Sequence, residues 1–423
     1  MADKEVCLLN DSFPPIIDGV ANVVQNYAKV LRENGTPVVV VTPAYPGADD
    51  SGFPYPVIRY QSVDVRKQIG YTIGNPFYVP VQKKLVRRNI GLLHSHCPMM
   101  SNYMARALRE ALDVPMVMTY HTKYDIDIAN ALKSRLLQKA AIDAIVENVS
   151  ACDELWVVSR GAGENIRSLG YEGDYIIMEN GVDMPRGRAS ETEILEACKG
   201  YDIPENVPLF LFVGRMMWYK GIRIILDALA ALKSVQLDFR MVFVGSGNEA
   251  EEIRKTSETL GLSDKVFFTG AVQERKTLTA WYSRADLFLF PSTFDTNGLV
   301  VREAAAASLA SVLIRGSAAA EGVSENRNAL LIEENAASLA ACLARIIEHR
   351  DTMKELGENA GNDLYLSWED AVKKAQDRYE VVKENYRSGH YKRQNSAGDS
   401  LFALRNGALD LWDKLKKSIS PKN

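Results

Sequence analysis

Two carboxylates that bracket a short glycine turn are the residues of this chain best placed for chemistry. Asp295 opens the stretch DTNGLVVRE and Glu303 closes it eight residues later. A buried strand precedes the stretch, which predicts a strand, a loop and then a helix that opens at Gly298. The first amides of such a helix, those of Gly298, Leu299 and Val300, have no acceptor within the helix and can donate to an anion.

The same stretch supplies acceptors for hydroxyl groups. Glu303 lies one helical turn inside, where its carboxylate can accept hydrogen bonds from two vicinal hydroxyls of a ribose. Asp295 and Asn297 come before the helix and can contact a different set of hydroxyls. The stretch could therefore bind a ligand that carries both a diphosphate and hydroxyl groups. The alternative interpretation is a pair of surface charges that flank an ordinary loop.

Two cations follow another strand, in FVGRMMWYKG, where Arg215 and Lys220 are five residues apart. Strand ends in parallel α/β folds face the ligand site. Two cations there can neutralise a diphosphate leaving group, arginine through its fork and lysine as a point charge. Taken alone, a pair of solvated loop charges is the simpler interpretation.

Two glycines lie where a strand passes into a helix. Gly19 stands between the first strand and the first helix, so the backbone there can approach a phosphate. A plain helix start capped by Asp18 explains it equally well. Gly245 belongs to a G-x-G loop in FVGSGNEAEE. That loop lacks the third glycine of a dinucleotide fingerprint, which disfavours NAD but still suits a loop near a nucleotide.

His121 ends the strand of MTYHT and can donate a hydrogen bond to a sugar hydroxyl or a developing charge. A lone histidine is more often structural. The same caution applies to His94 and His96, for which no third metal ligand has suitable spacing, so no metal site is expected.

Near-continuous apolar runs alternate with helical patterns along the chain, which predicts parallel sheets covered on both faces. The expected fold is α/β with two Rossmann-like, doubly wound domains that face a central cleft. We expect an N-terminal acceptor domain at 1–184, a C-terminal nucleotide-sugar domain at 185–366, a crossover helix at 367–386 and a basic tail at 387–423. The turn-rich segment 180–208 is the expected linker.

Composition narrows the class of protein. The 423 residues are 47% apolar and 25% charged, with a net charge of −4, which is typical of a soluble protein and disfavours nucleic-acid binding. Five scattered cysteines suit a reducing compartment. The N-terminus lacks a signal-peptide pattern, and no apolar run reaches the length of a membrane span. We therefore expect a cytoplasmic protein.

Two basic segments could contact an anionic membrane. One is VQKKLVRRN at 81–89, and the other is the amphipathic tail after Tyr386, which has eight Lys or Arg residues against three Asp. The alternative is that the tail packs on the protein or on another subunit. The candidate membrane contacts are Lys83, Lys84, Arg87, Arg88, Trp412, Lys414, Lys416 and Lys417.

The order of seven motifs resembles the retaining glycosyltransferases of family 4, which have a GT-B fold. These motifs are PPIIDGV, YHT, ENGVD, VGR…YKG, VGSGNEAEE…LGLSDKVFFTG, ADLFLFPS and D-x7-E. The resemblance implies a nucleoside diphosphate sugar as co-substrate, retention of the anomeric configuration, and no metal ion or other cofactor. It places Arg215 and Lys220 on the diphosphate, Glu303 on the ribose and His121 near the transferred sugar.

The sequence departs from the family pattern at the start of the stretch DTNGLVVRE. Asp295 stands where the family usually has Glu, and Asn297 stands where it usually has an aromatic residue. The family's glycine and proline after the second carboxylate are replaced in ASLASV. We therefore expect the residues 295–297 to set donor specificity. An epimerase or phosphorylase, or a non-catalytic donor-binding scaffold, are the alternatives.

The function expected from the resemblance is transfer of a hexose, with UDP-glucose as the favoured donor, to an acceptor hydroxyl. Similarity to lipid glucosyltransferases in the TYHT region and in the basic helix favours a membrane lipid such as diacylglycerol. A soluble or polyprenyl-linked sugar is the alternative acceptor. A lipid acceptor would make the protein peripheral on the inner face of the cell membrane.

Overall fold

A computed structural model describes residues 4–16, 18–64, 72–295 and 298–391. The chain divides into two compact units. The first contains Met1–Asn180 together with Trp368–Asn423, and the second contains Gly181–Ser367. Each unit is built on a parallel sheet with helices, so the expected α/β class with two Rossmann-like units is confirmed.

The strands are the apolar runs that the sequence singles out, with several shorter additions. They are β1 Glu5–Leu9, β2 Val38–Pro43, β3 Val57–Tyr60, β4 Ser62–Asp64, β5 Thr72–Gly74, β6 Ile90–Ser95, β7 Met116–Tyr120, β8 Glu154–Val157, β9 Tyr175–Ile177, β10 Leu209–Val213, β11 Arg240–Val244, β12 Val266–Gly270, β13 Leu287–Phe290, β14 Ser311–Ile314 and β15 Ala329–Ile332. Every residue of the central strands β1, β6, β10 and β13 is buried, as expected for strands covered on both faces.

The helices follow the strands in the alternation that the sequence predicts. They are α1 Gly19–Glu33, α2 Val79–Val86, α3 Met100–Leu112, α4 Tyr124–Ala131, α5 Arg135–Ser150, α6 Arg160–Ser168, α7 Glu191–Cys198, α8 Ile222–Ser234, α9 Ala250–Thr259, α10 Arg275–Arg284, α11 Leu299–Ala306, α12 Ala336–Ile346, α13 Arg350–Asp363 and α14 Trp368–Arg387. In the part of the chain that the structure describes, no helix is long and apolar enough to cross a membrane.

The order of strands places one topological switch point in each sheet. Among the described residues, seven parallel strands form the first sheet in the order β3-β2-β1-β6-β7-β8-β9. Six form the second, in the order β12-β11-β10-β13-β14-β15. The chain reverses its direction of travel between β1 and β6, and again between β10 and β13. In doubly wound sheets a ligand binds at such a point, outside the carboxyl ends of the strands.

The long helix α14 returns the chain to the first unit. Tyr379 stacks on Trp156 with ring centroids 5.4 Å apart, and its hydroxyl lies 2.6 Å from Nδ1 of His94. Arg378 donates two hydrogen bonds to the carboxylate of Glu154, with Nε 3.0 Å and Nη2 2.6 Å from its oxygens. The helix is therefore an integral part of the first unit, although most of that unit's sequence lies far before it.

Candidate functional site

An ion pair joins two of the predicted site residues across the switch point of the second unit. Lys220 ends a single helical turn after β10, and Asp295 follows β13. Nζ of Lys220 lies 2.7 Å from Oδ1 and 2.9 Å from Oδ2 of Asp295. The hydroxyl of Ser292 donates to Oδ2 at 2.7 Å.

Arg215 is an exposed cation at this edge. It lies two residues after the end of β10. Within the described residues its guanidinium forms no ion pair and no side-chain hydrogen bond. Because arginine carries its charge at every physiological pH, this guanidinium is available to a bidentate anion.

The start of α11 lies where the sequence predicts an anion site, and its contact with an anion stays a prediction. Gly298 is the N-cap, in the left-handed region with φ of +55°, and a Cβ there would lie 2.9 Å from Cα of Ala319. No side chain of the described residues caps the helix. Among the described residues, the amides of Leu299 and Val300 have no acceptor, which leaves them free to donate. Asn297, the other predicted residue of this turn, lies outside the described residues.

Glu303 is held on α11 by two partners that the sequence does not reveal. The hydroxyl of Tyr282 donates to Oε2 at 3.1 Å, and Nη1 of Arg275 lies 3.7 Å from Oε1. Arg275 also pairs with Asp183, 2.9 Å away. Burial raises the pKa of the Glu303 carboxyl, and the hydrogen bond from Tyr282 and the charge of Arg275 only partly oppose this shift.

The packing around Gly245 explains why this position is a glycine. Its φ is +146°, and a Cβ would lie 1.8 Å from the carbonyl oxygen of Gly214. The close approach of the loops after β10 and β11 therefore requires glycine whether or not a nucleotide binds. Its contact with a nucleotide stays a prediction.

Gly19 in the first unit contrasts with Gly245. It is the first residue of α1, and Asp18 caps that helix by accepting from the amide of Ala21 at 2.7 Å. A Cβ at Gly19 would meet no atom within 4 Å. The packing of the described residues thus gives no reason for glycine here, and the contact of Gly19 with a phosphate stays a prediction.

Three histidines lie at the carboxyl ends of the adjacent strands β6 and β7. Nδ1 of His96 is 3.0 Å from Nε2 of His121, and the two rings stack with centroids 5.3 Å apart. His94 lies 2.7 Å from the hydroxyl of Thr119 through Nε2 and contacts Tyr379 through Nδ1. Burial lowers the pKa of all three rings, that of His121 to about 3, so they are neutral at physiological pH.

Only some of the four cations in the basic segment 81–89 are exposed to solvent. Lys84 and Arg87 are exposed on and after α2, and Lys83 is half-buried. Arg88 instead donates to Glu5 through Nε at 2.6 Å and through Nη2 to the other carboxylate oxygen. The charge of Arg88 is therefore already paired within the protein, and its contact with a membrane stays a prediction. The tail candidates Trp412, Lys414, Lys416 and Lys417 lie outside the described residues.

Comparisons with known proteins agree with both units. A family model described as Glycosyltransferase Family 4 matches residues 17–186, and one described as Glycosyl transferases group 1 matches residues 195–363. Together the two matches cover most of the chain.

Relatives with named activities match much of the chain. Sulfoquinovosyl transferase SQD2 of Arabidopsis thaliana is 25% identical over 81% of this chain and 66% of its own length. Alpha-monoglucosyldiacylglycerol synthase of Acholeplasma laidlawii is 24% identical over 84% of this chain and 90% of its own. D-inositol 3-phosphate glycosyltransferase 2 of Catenulispora acidiphila is 26% identical over 71% of this chain and 73% of its own length.

Solved structures share the fold. HepE of Anabaena, crystallised in complex with UDP, has a TM-score of 0.70 at 17% identity and covers 89% of this chain and 100% of its own. Sucrose-phosphate synthase from Thermosynechococcus elongatus has a TM-score of 0.69 at 20% identity, and the match covers 90% of this chain and 99% of its own.

Proposed function

The chain belongs to the family 4 glycosyltransferases of GT-B fold, and from this premise we propose that it transfers glucose from UDP-glucose to a membrane lipid such as diacylglycerol. The assignment of a nucleotide-sugar donor rests on the set of groups around the switch point between β10 and β13. Arg215 and Lys220 follow β10, whereas Asp295 and the open amides of α11 follow β13. Together they supply the charges and donors that a diphosphate sugar requires.

The proposed mechanism is a front-face displacement with retention. The bond between the anomeric carbon and the diphosphate oxygen breaks, and a bond from that carbon to the acceptor oxygen forms on the same face. The departing phosphate oxygen takes the acceptor's proton. Arg215, Lys220 and the α11 amides stabilise the negative charge that develops on the diphosphate. Since protein groups supply this positive charge, the proposal needs no metal ion.

The choice of donor and acceptor is supported by the names of similar proteins. HepE has been crystallised in complex with UDP-glucose. The relatives from Acholeplasma laidlawii and Streptococcus pneumoniae are named as alpha-monoglucosyldiacylglycerol synthases. These names support UDP-glucose as the donor and diacylglycerol as the acceptor, while other relatives are named for GDP-mannose and D-inositol 3-phosphate.

A surface of the first unit has the chemistry of a membrane contact. At the start of α5, Leu136 is 77% exposed and Leu137 is 56% exposed, next to exposed Lys133 and Arg135. Since α5 runs back to the start of β8, its first turn lies towards the carboxyl edge of the sheet, the edge where His121 is found. Exposed leucines beside cations suit insertion into an anionic bilayer, to which each cation adds about 1 kcal/mol.

Vesicle flotation tests the membrane part of the proposal. We expect the full chain to float with vesicles that contain phosphatidylserine and diacylglycerol, and to float less as salt rises. The double change Leu136→Ser and Leu137→Ser should reduce the bound fraction several-fold. The matched control is Leu195→Ser, because Leu195 is 72% exposed but lies on the acidic helix α7. Equal binding by all three proteins, or none by the wild type, would argue against this surface.

Product analysis tests the reaction itself. Purified chain incubated with UDP-glucose and the same vesicles should yield UDP and an α-linked glucosyl diacylglycerol. A β-linked product would contradict retention. If turnover occurred only with a soluble or polyprenyl-linked sugar, that sugar and not diacylglycerol would be the acceptor. Donor binding without turnover would support a scaffold instead.

A further inference from the structure

We propose that His96 is a positioning residue that holds His121 in the tautomer with the proton on Nδ1. The inference rests on the proposed function together with the family resemblance, which implies that His121 lies near the transferred sugar. In that tautomer His121 offers a neutral N–H donor to an oxygen of the sugar. It does not act as a base.

The geometry that carries the inference is a single contact between two buried rings. His96 is fully buried and His121 is 8% exposed. Nδ1 of His96 lies 3.0 Å from Nε2 of His121. The other nitrogen of His96, Nε2, is buried and has no hydrogen-bond partner among the described residues. Two neutral imidazoles share one proton along this contact, so only two arrangements are possible.

The two arrangements differ in what they bury. If Nε2 of His121 donates, His96 must carry its own proton on Nε2, where an N–H group would be buried without an acceptor. If Nδ1 of His96 donates, its Nε2 is only an unpaired acceptor, and His121 carries its proton on Nδ1. Buried N–H groups without partners are rarer in proteins than buried acceptors without donors. The second arrangement is therefore favoured.

A charged ring is not an alternative in this cluster. Among the described residues, the rings of His94 and Tyr27 also contact His96. Burial raises the pKa of Tyr27, which keeps its hydroxyl neutral. Among the described residues no carboxylate contacts His96 or His121, so nothing stabilises an imidazolium there.

Two amide substitutions at position 96 separate this role from simple packing. Asparagine places its amide nitrogen close to the position of histidine Nδ1, whereas the longer glutamine places it close to that of Nε2. His96→Asn should therefore still donate to His121, and His96→Gln should not. We expect kcat within about twofold of the wild type for His96→Asn. We expect a three- to tenfold loss for His96→Gln, about the value of one neutral hydrogen bond, with donor KM little changed.

Nitrogen-15 NMR of the imidazole rings gives a readout that does not depend on turnover. The full chain should show His121 protonated on Nδ1, with the resonance assigned by its loss in His121→Asn. His96→Asn should keep this tautomer, and His96→Gln should give a mixture. Protonation of wild-type His121 on Nε2 would overturn the proposal even if both variants misfolded. Equal loss of kcat in the two folded variants would do the same. If no donor supports turnover, the proposed function fails while the tautomer result stands.

Discussion

Replacement of Lys220 by alanine is expected to lower kcat by about 10²- to 10³-fold, the usual effect of removing one group that stabilises developing negative charge. The lysine is the buried cation of the donor edge, and its Nζ is already held within 2.9 Å of both oxygens of Asp295. In the proposed reaction it moves from that carboxylate to the departing diphosphate. Donor KM should change far less than kcat, because the charge it stabilises develops in the transition state.

The control for this experiment must separate lost catalysis from lost folding. Lys220→Ala leaves Asp295 with Ser292 as its remaining hydrogen-bond donor among the described residues, which costs about 1–3 kcal/mol of stability. The matched control is Lys233→Ala, which breaks the Lys233–Asp264 pair elsewhere in the same unit. Turnover close to that of the wild type in folded Lys220→Ala would contradict the assignment of this lysine.

Glu303→Gln is expected to raise donor KM by roughly 10- to 100-fold, the value of one or two hydrogen bonds to a charged acceptor. The kcat at saturating donor should change little, because the ribose contacts are the same in the ground and transition states. A donor whose ribose lacks the 2′-hydroxyl should bind the wild type and the variant with similar affinity. If the variant discriminated against the deoxy donor as strongly as the wild type does, Glu303 would not be the ribose acceptor.

The raised pKa of Glu303 adds a pH dependence with a definite sign. In the proposed complex the ionised carboxylate of Glu303 accepts hydrogen bonds from the ribose, and burial raises the pKa of this carboxyl above that of an exposed glutamate. Donor KM should therefore rise as pH falls through that raised pKa, and Glu303→Gln should lose this dependence. Tyr282→Phe should move the rise to higher pH, because the hydrogen bond from Tyr282 favours the ionised form. Steady-state kinetics at constant ionic strength measures both shifts.

The positions of the site residues were predictable from the sequence because apolar runs mark where strands end. The runs before Arg215 and Asp295 are the strands β10 and β13, and both residues lie at the carboxyl edge as expected. The glycine N-cap of α11 also follows from local sequence, since Gly298 adopts a left-handed φ that most residues avoid.

The partners of those residues were not predictable, because they come from distant parts of the chain. Tyr282 and Arg275 lie on α10, and nothing in their spacing points to Glu303. The pairing of Lys220 with Asp295 joins residues 75 positions apart. Ser292 is the exception, since a hydroxyl three residues before a carboxylate in PSTFD is a local signal that could have been recognised.

The surroundings of His96 and Arg88 also could not be predicted, because they depend on which strands are neighbours in the sheet. The sequence around His96 indicates a structural histidine or, less well, a metal ligand, and its position beside His121 follows from the adjacency of β6 and β7. Arg88 belongs to a basic run that looks solvated in sequence, yet it neutralises Glu5 because β1 and β6 are neighbours in the sheet. A single sequence shows neither strand order nor which charges a sheet buries.

The release of nucleoside diphosphate by the purified chain tests the central claim most directly. A panel of UDP-, GDP- and ADP-hexoses would be supplied with anionic vesicles that contain diacylglycerol, with Lys220→Ala as the background. We predict release of UDP from UDP-glucose that requires the vesicles and falls to the background in Lys220→Ala. No release above that background from any donor would contradict the claim that this chain is an active nucleotide-sugar transferase.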